Sequence, residues 1–263
     1  MLVFSRVRAQ GDPLFAIGAA RLCATSGVSS VAPLPYTPLV RVRQLHPWDL
    51  TPGEAIALQM RLAPQVVLQG APTRVRSVAA ADVAFVDRPR SRQPGLARAA
   101  VVLLSYPELV VVEQRVAETP VAFPYVPGLL SFREIPALVQ AFESLDASPD
   151  LLLVDGQGYA HPRRFGLACH LGLLLDIPTI GCAKSRLCGH HEPLPAALGS
   201  SVPLMDGDDL IGTVLRTRDG VAPVYVSPGH RIGLEAAAEW VLHLCRGHRI
   251  PEPLRLADRA SKA

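Results

Sequence analysis

Lysine is almost absent from this chain: among 26 lysines and arginines, only Lys184 and Lys262 are lysines. Lys262 is next to last, which leaves Lys184 as the single interior ammonium. Lysine offers a compact point charge where arginine offers a planar fork. One lysine kept at the end of an apolar segment, Pro178-Thr-Ile-Gly-Cys-Ala-Lys184, therefore suits a lone phosphate oxygen or a nucleophilic water; a salt-bridge lysine is the plainer alternative. Cysteine is also scarce. The five cysteines are odd in number, scattered and without a C-x-x-C pair, which argues against a disulfide framework and favours a reducing compartment, the cytoplasm. Cys182, Cys188, His190 and His191 lie close in sequence, but their spacing fits no usual zinc finger, and ordinary thiols are the simpler account. No uninterrupted apolar run reaches the length needed to span a bilayer, so no membrane partner is expected. Charge of one sign is lacking as well: the formal net charge of +3 and pI of about 8.7 tolerate nucleic acid without demonstrating it. Apolar material is ample, at 49% of 263 residues, enough for one large domain or two small ones with a full core.

Residues 1 to about 40 mix Gly, Pro, Ser and Arg around a short apolar patch at 14–20, flanked by Asp12 and Arg21. That patch is a poor signal-peptide core, and the segment reads as a disordered extension, an overlong translation start being one origin. Residues 41–263 read as a single catalytic domain. Thr51-Pro-Gly-Glu54 looks like a capping box with proline in the first turn, opening a helix to about residue 69. Strands are expected near 76–86, 97–105 and 108–116, and breaks at 88–95 and at Tyr106-Pro107 make them antiparallel neighbours. After a loop over 119–128 come a helix near 135–145, a strand ending at Asp155, a helix near 164–175 and the Lys184 strand. That alternation argues for parallel pairing. A hairpin at 210–218 and 222–226, then Ser227-Pro-Gly-His230 and a helix near 234–245, complete the chain. The expected fold is α/β: a mixed sheet of three antiparallel strands followed by parallel strands, flanked by helices.

The stretch Leu151-Leu-Leu-Val-Asp155-Gly-Gln-Gly-Tyr-Ala-His161-Pro-Arg-Arg concentrates chemistry. A buried strand of this length delivers Asp155 to the carboxyl end of the sheet, where open α/β sheets hold their ligands. Gly156 and Gly158 let backbone approach whatever binds. A carboxylate among His161, Arg163 and Arg164 points to a metal-dependent site acting on a phosphate, the bland alternative being a helix cap. Asp82 sits inside the otherwise apolar segment 77–85, so its charge needs a partner or a metal unless the register turns it outward. Ser131-Phe-Arg-Glu134 has the spacing of a capping box. Pro136 would then lie beyond the first turn, so the helix is expected to start nearer Ile135, leaving Glu134 free. Three acids on separate elements beside a lysine and a histidine make a hard-cation site, for which oxygen ligands select magnesium or manganese over zinc. Such metals clamp the attacking and leaving oxygens of a phosphoryl displacement. Phe123-Pro-Tyr-Val-Pro-Gly128 is a stiff aromatic loop whose tip can act as a wedge in a base stack; a packed surface loop is the alternative.

Four motifs together resemble the endonuclease V family, the deoxyinosine 3′-endonucleases: Pro124-Tyr-Val-Pro-Gly-Leu-Leu-Ser-Phe-Arg-Glu134, Asp155-Gly-Gln-Gly-Tyr-Ala-His-Pro-Arg-Arg-Phe-Gly-Leu-Ala168, Ile180-Gly-Cys-Ala-Lys-Ser-Arg-Leu187 and Ser227-Pro-Gly-His-Arg231. The resemblance runs from about Ala55 to Ser261, with the motifs in the family's order. It implies an RNase H-like fold and nicking of DNA at the second phosphodiester bond 3′ to deoxyinosine, leaving a 3′-hydroxyl and a 5′-phosphate. The implied cofactor is magnesium, with manganese as a substitute. Asp82, Glu134 and Asp155 match the family's metal-binding acids, and His161 and Lys184 its active-site positions near the scissile phosphate. Pro124, Tyr125, Val126 and Pro127 match the strand-separating wedge. Gly128, Leu130 and Gly156 fall where the family forms its pocket for the flipped hypoxanthine. Where some relatives carry a histidine near the metals this chain has Asp258, either an additional water-mediated metal contact or a surface acid. Nothing points to an obligate dimer, so a monomer is expected. Two other readings stand beside this one: an inosine-specific ribonuclease of the same fold, and a damaged-base binding module that does not cut, against which the presence of all three acids weighs.

Overall fold

The computed structural model describes residues 40–86 and 95–263. The amino-terminal extension and the first hairpin break therefore lie, apart from Val40 and Gly95, outside the described residues. Three long strands, β1 (Ser77–Val86), β2 (Leu96–Ser105) and β3 (Val111–Pro120), form an antiparallel meander. β4 (Leu151–Val154) and β5 (Thr179–Ala183) then add in parallel on the other side of β1. β6 (Ser201–Asp206), β7 (Asp209–Leu215) and β8 (Val224–His230) extend the sheet antiparallel, giving the order β3-β2-β1-β4-β5-β8-β7-β6. The expected mixed sheet is thus present, with an added three-stranded wing.

Side chains alternate across a strand with period two, and that alternation divides the apolar residues of the central strands between two cores. Ala79, Ala81, Leu152 and Val154 face one layer, where helices α2 (Leu130–Glu143) and α3 (Leu167–Leu175) supply Ile135, Leu138, Leu171 and Leu174. Val78, Ala80, Leu151, Leu153 and Ile180 face the other, covered by α4 (Leu234–His243) and α5 (Glu252–Lys262) through Val241, Leu254 and Ala257. Strands covered on both faces need not alternate in sequence, which is why β1, β4 and β5 read as nearly continuous apolar runs. Among the described residues, no helix is long and apolar enough to cross a membrane.

Several boundaries differ from expectation, each for a local reason. Helix α1 (Pro52–Leu62) carries the capping box in full, Thr51 and Glu54 bonding reciprocally, but passes into a short 3-10 turn over Ala63–Gln65. Pro64 has no N–H to donate into the helical ladder, and the helix ends well before residue 69. Helix α2 begins at Leu130, not near Ile135, and runs through Pro136. Proline at that position forfeits one backbone bond, a loss outweighed by burying Phe132, Ile135, Leu138 and Phe142 on one side. Glu134 accordingly sits within the helix instead of ahead of it. Strand β3 runs later than the expected 108–116. Strand β6 was not anticipated: Pro203 interrupts its pattern, and an edge strand is where proline is tolerated. Helix α5 was not anticipated either. Its two prolines look like breakers, yet Pro251 precedes the helix and Pro253 lies in the first turn, where the missing N–H costs nothing.

Candidate active site

The parallel register pairs Ala81 of β1 with Val154 of β4, and the Asp155 N–H continues the ladder onto the Ala81 carbonyl at 3.2 Å. Asp82 and Asp155 therefore stand next to each other, one inside β1 and one just past β4. Helix α5 crosses β1 and β2 and brings Asp258 to the same place. One carboxylate oxygen from each of Asp82, Asp155 and Asp258 lies within 4.8 Å of the others. Asp258 is thus part of the cluster and not an isolated surface acid. Glu134 is not one of those three, but it is close enough to feel them. Burial, then the charges of Asp82 and Asp155, hold its carboxyl well above the usual range.

Two ammonium groups and one hydroxyl complete the cluster. Lys184 pairs with Asp155 and lies 3.2 Å from Asp258, while Lys262 lies 2.7 Å from the same Asp258 oxygen. The Ser261 hydroxyl donates to Asp82 at 2.6 Å. Burial raises the pKa of Asp155, with Lys184 pulling against it, whereas Lys262 and Lys184 hold Asp258 below its ordinary value. Burial works against the charge of Lys184, and contact with Asp155 and Asp258 more than reverses it, so that lysine stays protonated. Ser261 and Lys262 were not singled out in the sequence. Once α5 is a helix, their spacing from Asp258 puts both near the same end of one face. An all-oxygen donor set of this kind can hold a hard divalent cation.

The raised Glu134 carboxyl has a consequence for stability. A carboxylate whose folded pKa exceeds its unfolded value penalises folding as pH rises from the unfolded value towards the folded one. In EDTA, Glu134→Gln should therefore raise the melting temperature at pH 8 by about 2 °C or more, the shift roughly 1 kcal/mol produces in a domain this size. Near pH 4, where the wild-type carboxyl is protonated in both states, the gain should vanish. Thermal melts across pH 4–8 check it; a gain independent of pH would refute the buried-charge account.

His161, Arg163 and Arg164, which follow Asp155 closely in the chain, are each engaged by protein partners. His161 is buried, its Nδ1 accepting from the Arg163 N–H at 3.2 Å and its Nε2 lying 2.9 Å from the Gly128 carbonyl. These partners assign the proton to Nε2, and burial followed by the charge of Arg163 pushes the pKa down to about 4, so the ring is neutral. The Gly128 carbonyl also accepts from Arg163 Nη2 at 2.7 Å and from Gln59 Nε2 at 3.0 Å, and the Gln59 carbonyl takes Arg163 Nε at 2.5 Å. Gln59 escaped notice in the sequence. Its signal was a polar residue at a core position of α1, beside Ala55, Leu58 and Leu62. Arg164 reaches away to Asp206 and Asp209, at 2.9 and 2.7 Å, and pins the loop to the β6–β7 hairpin.

A cavity of about 400 Å³ opens beside Asp155 and Lys184, and Tyr125, Val126, Pro127, Gly128, Leu130 and Gly156 line it. Pro124 faces a separate recess with Phe123 and Phe132. Tyr125 is 71% exposed at the tip of its loop, as a side chain that meets a partner would be. Gly128 has a φ of +79°, and a Cβ there would fall on the Arg163 guanidinium. Gly158 is different. A Cβ there would land on the Pro228 carbonyl, and one on Gly181 would land on the Gly158 nitrogen. Gly158 is small so that the loop can pack on β5 and β8, not so that a ligand can approach. Cys182 is buried and forms no disulfide.

An endonuclease V family model matches residues 60–259. The chain belongs to the endonuclease V family. It is 53% identical over 219 residues to the endonuclease V of Gloeobacter violaceus, covering 82% of this chain and 87% of that one. The crystal structure of Streptomyces avermitilis endonuclease V superposes with a TM-score of 0.76 at 43% identity, covering 85% of this chain and 96% of that one. The structure of Ciona intestinalis endonuclease V in complex with a 24-mer DNA containing an inosine followed by a ribo-adenosine gives a TM-score of 0.68 at 27% identity, over 80% of this chain and 95% of that one. The protein is an endonuclease, and its fold is that of the endonuclease V structures.

Proposed function

We propose that this endonuclease nicks DNA at the second phosphodiester bond 3′ to deoxyinosine, with magnesium, leaving a 3′-hydroxyl and a 5′-phosphate. The observation that carries this reading is that Asp155, a member of the acid cluster, also lines the cavity bordered by Tyr125, Gly128, Leu130 and Gly156. A base pocket and a phosphate-cutting centre are thereby adjoining. The Ciona relative bound to inosine-containing DNA supports the choice of substrate. We read residues 41–263 as a single catalytic domain that works as a monomer in the cytoplasm.

Asp82, Glu134 and Asp155 would hold the metal, with Asp258 as an outer contact, and manganese would serve in place of magnesium. When bound, the ion supplies Lewis-acid stabilisation of charge on the phosphate. Tyr125, stiffened by Pro124, Val126 and Pro127, fills the gap as the damaged nucleotide leaves the stack. The Gly128 carbonyl already accepts three donors, so recognition of the base falls to neighbouring N–H groups and to Gly156. An N–H donor suits the O6 acceptor of hypoxanthine and not the amino group of adenine. Water attacks phosphorus in line, Lys184 steadies the phosphate, and the bond to the 3′ oxygen breaks. His161, held neutral, acts here by fixing Gly128 beside the pocket.

A labelled duplex with one deoxyinosine, a matched inosine RNA and an undamaged control, each in magnesium and in EDTA, test the reading. The expected product is a single nick one nucleotide beyond the lesion, in DNA and only with magnesium. Cleavage of the RNA alone would transfer the activity to a ribonuclease; tight binding without any product would leave a recognition module.

A further inference from the structure

A second recess of about 170 Å³, lined by Lys184, Ile250, Arg255, Asp258 and Arg259, reaches the acid cluster at Asp258. The two cavities share Lys184, the first reaching the cluster at Asp155 and the second at Asp258. Both cavities therefore meet the acid cluster, each at a different carboxylate. The second recess carries three cations against one carboxylate, and that carboxylate is already engaged by Lys184 and Lys262. Arg255 and Arg259 are one helical turn apart on α5, so both project to the same side. Arg255 pairs with Glu252. Arg259 is exposed, and among the described residues it makes no salt bridge and no side-chain hydrogen bond. A guanidinium without a carboxylate partner, beside a centre that cuts phosphodiesters, presents a planar fork matched to phosphate oxygens.

We infer that this recess is a phosphate subsite for the DNA strand on the 3′ side of the scissile bond, with Arg259 as its principal ligand. The inference rests on the proposed cleavage 3′ to deoxyinosine. With the base in the cavity of Tyr125 and Gly128 and the scissile phosphate at the carboxylates, the strand continuing in the 3′ direction leaves past Asp258 and enters the recess. Arg259 thus touches the backbone and not the base, and it contributes to affinity without reading sequence.

The test uses the full chain and two deoxyinosine duplexes, one with long flanks and one whose cut strand stops one nucleotide beyond the cleavage position. On the long duplex, Arg259→Gln should raise KM about threefold to tenfold with kcat unchanged. It should also lower the slope of log affinity against log salt by about 1, the signature of one lost phosphate contact. On the short duplex the variant and the wild type should be equal, and shortening the other flank should leave the difference intact. Arg259→Lys, which keeps the charge, should restore the salt slope. A variant indistinguishable from wild type on the long duplex would overturn the subsite, as would a defect of equal size on the truncated one. If the wild type cut on the 5′ side of the lesion, the underlying reading would fall first, and the 3′ placement with it.

Discussion

Asp155→Ala should lower kcat/KM on a deoxyinosine duplex by about 10³-fold or more, the rate equivalent of several kcal/mol of lost charge stabilisation at the phosphate. The position concentrates three roles that no other side chain duplicates. Asp155 sits in the carboxylate triplet, it pairs with Lys184, and it lines the base cavity. Alanine leaves Asp82 and Asp258 without the oxygen that completes the donor set and frees Lys184 to rest on Asp258 alone. The fold should survive the change. Burial raises the Asp155 pKa, and nearby Asp82 adds to that, so removing the carboxyl relieves a buried charge in the metal-free protein. Single-turnover nicking, a melting curve and a binding measurement on one preparation check all of this. Lost cleavage with an unchanged or raised melting temperature and retained binding of the deoxyinosine duplex is the expected pattern. Cleavage within tenfold of wild type would remove Asp155 from the reaction.

Gly158→Ala should act in the opposite way, through the fold first. The added methyl would fall on the Pro228 carbonyl, with the Ser227 carbonyl close behind. Both are backbone atoms of a strand paired on its two sides with β5 and β7, so neither can turn aside as a side chain would. The Gly158 N–H is also held by the Ser227 hydroxyl at 2.9 Å, which fixes the loop against that strand. Overpacking of this kind costs about 3 kcal/mol, which lowers the melting temperature by about 6–12 °C in a domain of this size. Because the same loop connects Asp155 to His161, activity below the melting point should fall as well. A thermal melt decides it. A variant as stable as wild type would mean that the loop rests less tightly on β8 than the backbone contacts show.

The two residues mark the limit of what was legible in the chain. Asp155 was readable because its setting is local: an apolar run, a carboxylate at its end and glycine after it. The breaks that set the antiparallel meander, the capping box at Thr51 and the singular Lys184 were readable for the same reason, since each is written within a few neighbours. Gly158 carried the same local cue as Gly156 and was given the same meaning, a close approach to a ligand. Only the contact with Pro228, 70 residues further along the chain, shows that its small size serves internal packing. Pro136 misled in a similar fashion. Propensity opposed a helix there, and burial of apolar side chains on the sheet overrode it.

The sequence by itself determined the class of sheet, the family and the residue types of the acid cluster, because strand periodicity, turn chemistry and long motifs are properties of neighbouring positions. Tertiary structure alone decided how those residues meet. Ser261 bonds Asp82 across 179 residues, Lys184 meets Asp258 across 74, and Gln59 reaches the Gly128 carbonyl across 69. It also brought His161 and Arg163 to the Gly128 carbonyl and Arg164 to Asp206 and Asp209. The direction of a side chain follows from which partners packing brings within about 3 Å of it, and a one-dimensional pattern contains no such distance.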